Sequence, residues 1–159
     1  MMLFFEDVEI GARTRLGAYS FRAEEMVAFA RMWDPQAFHL DEGAGARTHF
    51  GGLVASGWYT AAIAARLRAQ AMEREHEALR RAGKPVPRVG PSPGFKDLKW
   101  LRPVRAGDTL TFESEVVAKK PSASRPEWGL VFTHDTATDQ HGRLTFELTN
   151  CVFVERAEG

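Results

Sequence analysis

ASGWYTAAIAARLRAQAMEREHEALRRAG, residues 55–83, is the stretch whose reading decides the fold. Its first half is small and almost wholly apolar, and its second half is rich in Glu and Arg. A helix whose early turns are wrapped by other structure and whose tail reaches water has this asymmetry. Ala61, Ala62, Ala64 and Ala65 keep the early turns thin, so that a sheet or a second helix can approach closely. Gly83 and Pro85 end the helix.

Downstream of this helix the pattern changes to extended chain. KPVPRVGPSPG (84–94) holds too many prolines for a regular element. FKDLKWL (95–101) leads into RPVRAGD (102–108), a turn. TLTFESEVVAK (109–119) alternates, with Phe112 and Ser114 on one face and Glu113 and Glu115 on the other. After the loop KPSASRPE come WGLVFTHDTAT (128–138) and RLTFELTNCVFV (143–154), two long strands. Asp139-Gln140-His141-Gly142 joins them as a tight hairpin, with glycine where φ turns positive.

Upstream, a strand is expected over roughly residues 13–20, after a short lead-in. AEEMVAFARMW (23–33) then places Met26, Val27, Phe29, Ala30 and Trp33 at helical spacing, with Glu24 and Glu25 in the favourable first turn. Pro35 stops that helix by pushing Asp34 out of the helical region. The order is strand, small helix, long helix, then at least three consecutive antiparallel strands. This is an α+β fold in which strands curl around one buried helix, burying the helix and one sheet face together. Two such sheets pairing edge to edge, or two helices back to back, would make a homodimer or a larger homo-oligomer.

The composition narrows the function. The 159 residues are 44% hydrophobic, which suits one domain over residues 1–159 with a sizeable core. Twenty-one basic and 21 acidic residues cancel. Neither a nucleic-acid coat nor a polybasic membrane anchor would have its long-range attraction, although a small anionic ligand needs only two or three local cations. MMLFFEDVEIG lacks the basic start and long apolar run of a signal peptide, and no stretch approaches 18 uncharged apolar residues, so a cytoplasmic protein is expected. Cys151 is the lone cysteine, and its place in an alternating run marks a core or interface thiol.

Chemistry concentrates between the two helices. Asp34 and His39 flank DPQAFH, a non-helical stretch able to turn both side chains toward a common point some 5–7 Å across, room for one water. Adding water across an activated double bond needs one group to take a proton from water and another to return one to carbon; a carboxylate and an imidazole suit that work. The competing reading is structural: Asp34 caps a turn and His39 is a satisfied polar residue. FGGLVASGW (50–58) supplies the second element, because the unpaired N–H groups of a helix's first turn suit an oxygen that gains charge, and Gly57 leaves its N–H uncovered. Ser56 is either a plain N-cap or a binding residue. Asp41 either orients the imidazole or caps the turn GAGAR, with capping favoured, and His49 reads as a plain loop residue.

Trp33, Phe38, Trp58 and Tyr59 either line an apolar channel or belong to the core. Arg102 and Arg105, with Lys99, Lys119 and Lys120, are either phosphate contacts or solvated charge. His76, His134 and His141 are scattered and no Cys–His cluster exists, so neither a metal nor another cofactor is expected; no glycine-rich nucleotide signature is present.

From about residue 5 to residue 154 the chain resembles the MaoC-like dehydratases, which include the (R)-specific enoyl-CoA hydratases. The resemblance rests on FARMWDPQAFHLDEGAGARTHFGGLVASGW followed by WLRPVRAGDTLTFESEV. It implies a hotdog fold, a dimer or dimer of dimers with pockets at the subunit interface, and a lyase of acyl-CoA and fatty acid metabolism. The family's catalytic aspartate falls on Asp34, its histidine on His39, and its backbone donor to the thioester carbonyl on Gly57. Three departures leave the acyl group open. Gln36-Ala37 stands where the family usually has asparagine-proline, Ala65 replaces a serine, and Trp33 replaces a small residue. Gln36 could still supply the amide hydrogen bond. The substrate implied is a thioester of CoA or of acyl carrier protein. The rival readings are a hotdog acyl-CoA thioesterase, which would want an acid on the early helix where SGWYTAAIAARL has none, and a non-catalytic acyl-binding subunit.

Overall fold

Each predicted element forms where its periodicity puts it. In the computed structural model, which describes residues 4–157, β1 spans Arg13–Ser20, α1 Ala23–Trp33 and the long helix α4 Gly57–Arg81. Two short helical turns lie between, α2 (Ala37–Leu40) and α3 (Glu42–Ala46). The strands that follow are β2 (Gly94–Trp100), β3 (Thr109–Pro121), β4 (Trp128–Thr138) and β5 (Leu144–Glu155). The first three residues of the lead-in MMLFFEDVEIG lie outside the described residues.

The five strands form one antiparallel sheet in the order β1-β3-β4-β5-β2. The β3–β4–β5 meander is the one expected from the alternation; the placing of β1 beside β3 and of β2 at the far edge beside β5 is a tertiary outcome. The sheet curls around α4, the hotdog arrangement. Tyr59, Ile63, Leu67 and Ala71 recur every four residues along α4 and are buried together with Leu110, Phe112 and Phe146 of the sheet. Fully burying a side chain of this size contributes roughly 1.5–3 kcal/mol, so this stripe dominates the core. β1 bends over the helix at a bulge between Arg15 and Gly17. A Cβ on Gly17 would come within 3.2 Å of a Leu67 methyl, so glycine lets the strand close onto α4 there.

The helix ends as its sequence requires. Gly83 has φ +63°, Lys84 N–H donates to Leu79 O (3.0 Å) and Gly83 N–H donates to Arg80 O (3.1 Å), which together satisfy the last carbonyls. The alanines divide unevenly: Ala64 faces the sheet, whereas Ala62 and Ala65 are exposed. Further along, Arg68 reaches from α4 to Asp135 on β4, and Ser114 Oγ donates to Asp135 Oδ1 at 2.8 Å. Burial pushes the Arg68 guanidinium down to about 10. Cys151 is half-buried opposite Phe132 of β4. Among the described residues no helix is long and apolar enough to cross a membrane.

Candidate active site

Where α1 stops, the chain turns back on itself and carries Asp34 to the start of α4. Asp34 is the C-cap of α1, with φ −153° and ψ 68°, and its N–H still donates to Ala30 O at 2.9 Å. Pro35 follows, and Gln36 N–H donates to Asp34 O (2.8 Å) in a tight bend. The segment is not wholly extended, as the sequence suggests, because Ala37–Leu40 forms one helical turn with His39 inside it. That turn aims the imidazole inward: Nδ1 donates to Val54 O at 2.8 Å, and Val54 N–H donates to Phe38 O at 3.2 Å. With Nδ1 committed as a donor to a carbonyl, Nε2 is the nitrogen left for chemistry.

His39 Nε2 lies 3.3 Å from Asp34 Oδ2. This corrects the expected separation of some 5–7 Å: the two groups touch directly, and a water must sit beside the pair on its open side rather than between the two. The contact is close because the helical turn at 37–40 shortens the step from residue 34 to residue 39.

Each Asp34 oxygen is held by a donor. Gln36 Nε2 donates to Oδ1 at 2.8 Å and Ser56 Oγ donates to Oδ2 at 2.7 Å. Burial pushes this carboxyl up, but the hydrogen bonds from Ser56 and Gln36, together with the neighbouring His39, outweigh it and set it below the ordinary carboxylate range. Ser56, 0% exposed, also caps α4 by accepting from Trp58 N–H at 3.2 Å. Fully buried, it bridges the helix cap and the carboxylate, as the N-cap reading has it.

The pair opens onto a cavity of about 340 Å³, whose wall includes Gln36, Phe38, Gly57, Trp58, Arg102 and Val104. Gly57 is the first residue of α4, so its N–H precedes the helical ladder, and the Ser56 oxygen is already taken by Trp58 N–H. The site therefore combines a carboxylate, an imidazole nitrogen and a helix-end N–H on one cavity. That set can move protons at one point while holding an oxygen that gains charge at another.

Other expectations divide. Phe38 lines the wall edge-on to His39, with ring centroids 4.5 Å apart. Trp58 stands at the mouth, 52% exposed. Trp33, the last residue of α1, is 68% exposed and off the cavity wall. Tyr59 is core, its hydroxyl 2.8 Å from that of Tyr19. Arg102 reaches the cavity. Arg105 does not: its guanidinium donates to Phe50 O and so braces the glycine-rich approach to α4. Lys99 pairs with Glu147 at 2.8 Å, Lys119 donates to Phe5 O and Glu6 O, and Lys120 lies over the Phe132 ring. Asp41 caps α3 by accepting from Ala44 N–H (2.7 Å), as the favoured reading has it, and His49 is an exposed loop residue stacked on Phe50.

Two residues that shape this region were not among those the sequence singled out. Trp100 packs against Gly57, and Gly45 lies so close to Gly52 that a Cβ would come within 2.2 Å of Gly52 O. The tryptophan preceding the LRPV turn was the available hint for the first; the second is pure tertiary contact.

The description MaoC like domain fits residues 8–129 of this chain. The 3-hydroxybutyryl-CoA dehydratase of Methylorubrum extorquens is 30% identical over 125 residues, covering 78% of this chain and 70% of that protein. The MaoC-like dehydratase from Rhodospirillum rubrum shares 37% identity and superposes with a TM-score of 0.79 over 99% of both chains. The unliganded (R)-hydratase PhaJ1 from Pseudomonas aeruginosa, at 21% identity and a TM-score of 0.64, covers 97% of this chain and 86% of its own, and shares the fold. A long helix wrapped by a five-stranded sheet, and a family match over most of the chain, make this protein a member of the MaoC-like dehydratase family.

Proposed function

We propose that the protein catalyses the reversible addition of water across the double bond of a trans-2-enoyl thioester, or the matching dehydration of a 3-hydroxyacyl thioester. The observation that carries this reading is the 3.3 Å contact of Asp34 and His39 on the same cavity as the first N–H of α4. Asp34 and His39 Nε2 hold a water on their open side. Gly57 N–H takes the thioester oxygen, which draws electron density from C3. As the water O–H bond breaks, its oxygen bonds C3, its proton passes to the Asp34–His39 pair, and the pair delivers a proton to C2. Enolate charge forms at the oxygen facing Gly57, where a helix-end donor stabilises the transition state more than the ground state.

The acyl carrier is CoA or an acyl carrier protein, and Arg102 at the cavity is the cation that would meet its phosphates. The protein works in the cytoplasm as one domain over residues 1–159, assembled as a homodimer or larger homo-oligomer. The 3-hydroxybutyryl-CoA dehydratase relative supports a short acyl group. The test is loss of the conjugated-thioester absorbance when crotonyl-CoA and longer, branched or dicarboxylic enoyl-CoAs are mixed with the protein. Absence of hydration across that panel and across the matching acyl-carrier-protein thioesters overturns the reading. Release of free thiol instead would make the protein a thioesterase.

A further inference from the structure

We infer that Trp100 is a positioning residue for the reaction: its indole fixes the first residue of α4 and thereby aims the Gly57 N–H at the thioester oxygen. This rests on the hydration reading above and adds to it a residue for which the Asp34–His39 chemistry has no need.

Three observations converge on it. Trp100 is the last residue of β2, the edge strand farthest in sheet order from β1, yet its Nε1–H donates to Gly57 O at 2.8 Å. The same ring lies flat against Gly57 Cα: a Cβ there would meet Cε2, Nε1 and Cδ2 of Trp100 at 2.5, 2.6 and 2.7 Å. Trp100 also lines the cavity and meets Trp58 edge-on, with centroids 5.3 Å apart, so the two indoles bound the side of the cavity next to Gly57.

The physical consequence follows from where α4 begins. The peptide that carries the proposed donor is held on its carbonyl side, where Ser56 O accepts from Tyr59 N–H (3.0 Å) and Thr60 N–H (3.3 Å); its own N–H has no partner within the helix, and the glycine that follows adds backbone freedom. Ser56 ties down the next N–H along, that of Trp58. Trp100 restrains Gly57 itself from the carbonyl side and by ring contact. Glycine at 57 and tryptophan at 100 are thus one device: the indole occupies the space that a side chain at 57 would need.

An oxyanion donor acts mainly as charge develops, so misaiming it lowers turnover more than substrate binding. Trp100→Phe keeps an aromatic ring and deletes the donor. The benzothiophene isostere of tryptophan, placed at position 100, deletes only the N–H and leaves the packing volume in place. With the parent protein and crotonyl-CoA, each should lower kcat about tenfold while KM stays within about twofold, the size expected for one lost hydrogen bond. Gly57→Ala should be nearly inactive, and adding Trp100→Ala to it should restore a measurable part of the rate, because the clash is with this ring.

An isostere that runs at the parent kcat overturns the inference, as does one that changes KM alone. Gly57→Ala that gains nothing from Trp100→Ala also counts against it. Should Trp100→Phe not fold, as read by thermal unfolding, the isostere decides. A parent protein that hydrates no enoyl thioester sinks the underlying reading instead, and the two failures are distinct.

Discussion

Val54 and His39 hold each other through the backbone of one and the ring of the other. The Val54 carbonyl accepts the Nδ1 proton at 2.8 Å, and Val54 N–H returns a bond to the carbonyl of Phe38 at 3.2 Å. The tautomer of the ring is thereby set from the protein side, and the nitrogen 3.3 Å from Asp34 is the one free to exchange a proton. The glycine-rich approach to α4 therefore fixes the orientation of the His39 ring and is not only a connection.

Asp34→Asn and His39→Gln should each lower turnover of crotonyl-CoA by at least about 100-fold, the usual worth of a positioned acid–base group. Both are near-isosteric, and thermal unfolding should show them folded. Parent rates in both variants would mean that the water is activated elsewhere.

Ser56→Ala removes two bonds together, the cap of α4 and the donor to Asp34 Oδ2. Stability in urea should fall by about 1 kcal/mol, the ordinary worth of a cap. Turnover should fall about tenfold as well, as one hydrogen bond to the carboxylate is lost. A change in stability with turnover untouched would confine Ser56 to capping.

The depressed Asp34 carboxyl carries a sign that acid unfolding can read. Hydrogen bonding in the folded state lowers its pKa, so its contribution to stability is complete above the unfolded value of about 3.9 and is lost as pH falls through the lower folded value. The stability gap between parent and Asp34→Asn should therefore hold constant from pH 7 to about pH 4.5 and close only below that. A gap already closing at pH 6 contradicts the assignment.

Arg102 and Arg105 should separate by kinetics. Arg102→Ala, at the cavity, should raise KM for a CoA thioester about threefold to tenfold with little change in kcat, an effect weakened by added salt. Arg105→Ala should lower the midpoint of thermal unfolding, because it frees the Phe50 carbonyl in the approach to α4. Equal KM effects would mean that both arginines reach the ligand.

Gly45→Ala is the sharpest test of the loop packing. Its Cβ would meet Gly52 O at 2.2 Å and Leu53 N at 2.9 Å, backbone atoms with nowhere to retreat. Overpacking of this kind costs roughly 1–3 kcal/mol, and the variant should unfold at a clearly lower temperature. Parent-like stability would show that α3 can lift from the loop.

Much of the fold is written in local pattern. The alternation of Leu110, Phe112 and Ser114, the helical spacing of Met26 and Ala30, and the glycine at 83 each report their own surroundings. Asp34, His39 and Gly57 stand out as candidates for a related reason: a helix stop and a helix start leave polar groups that no ladder satisfies. Trp33 shares the helical spacing of the buried residues yet is exposed, because spacing marks an apolar face without saying how far along it the core extends. Arg105 shows the limit of pattern in another way: a cation in a turn looks the same whether it meets a phosphate or, as here, a carbonyl of its own chain.

The amino-acid order by itself determined the element succession, the buried long helix and the residue types at the two helix ends, all of which depend on neighbours a few positions away. Only the tertiary structure decided that β2 crosses to the far edge beside β5, that Trp100 there closes on Gly57, and that Asp34 and His39 touch instead of standing apart. Those contacts join residues 43 to 57 positions distant, or hinge on whether one turn at 37–40 coils, and local periodicity carries no term for either.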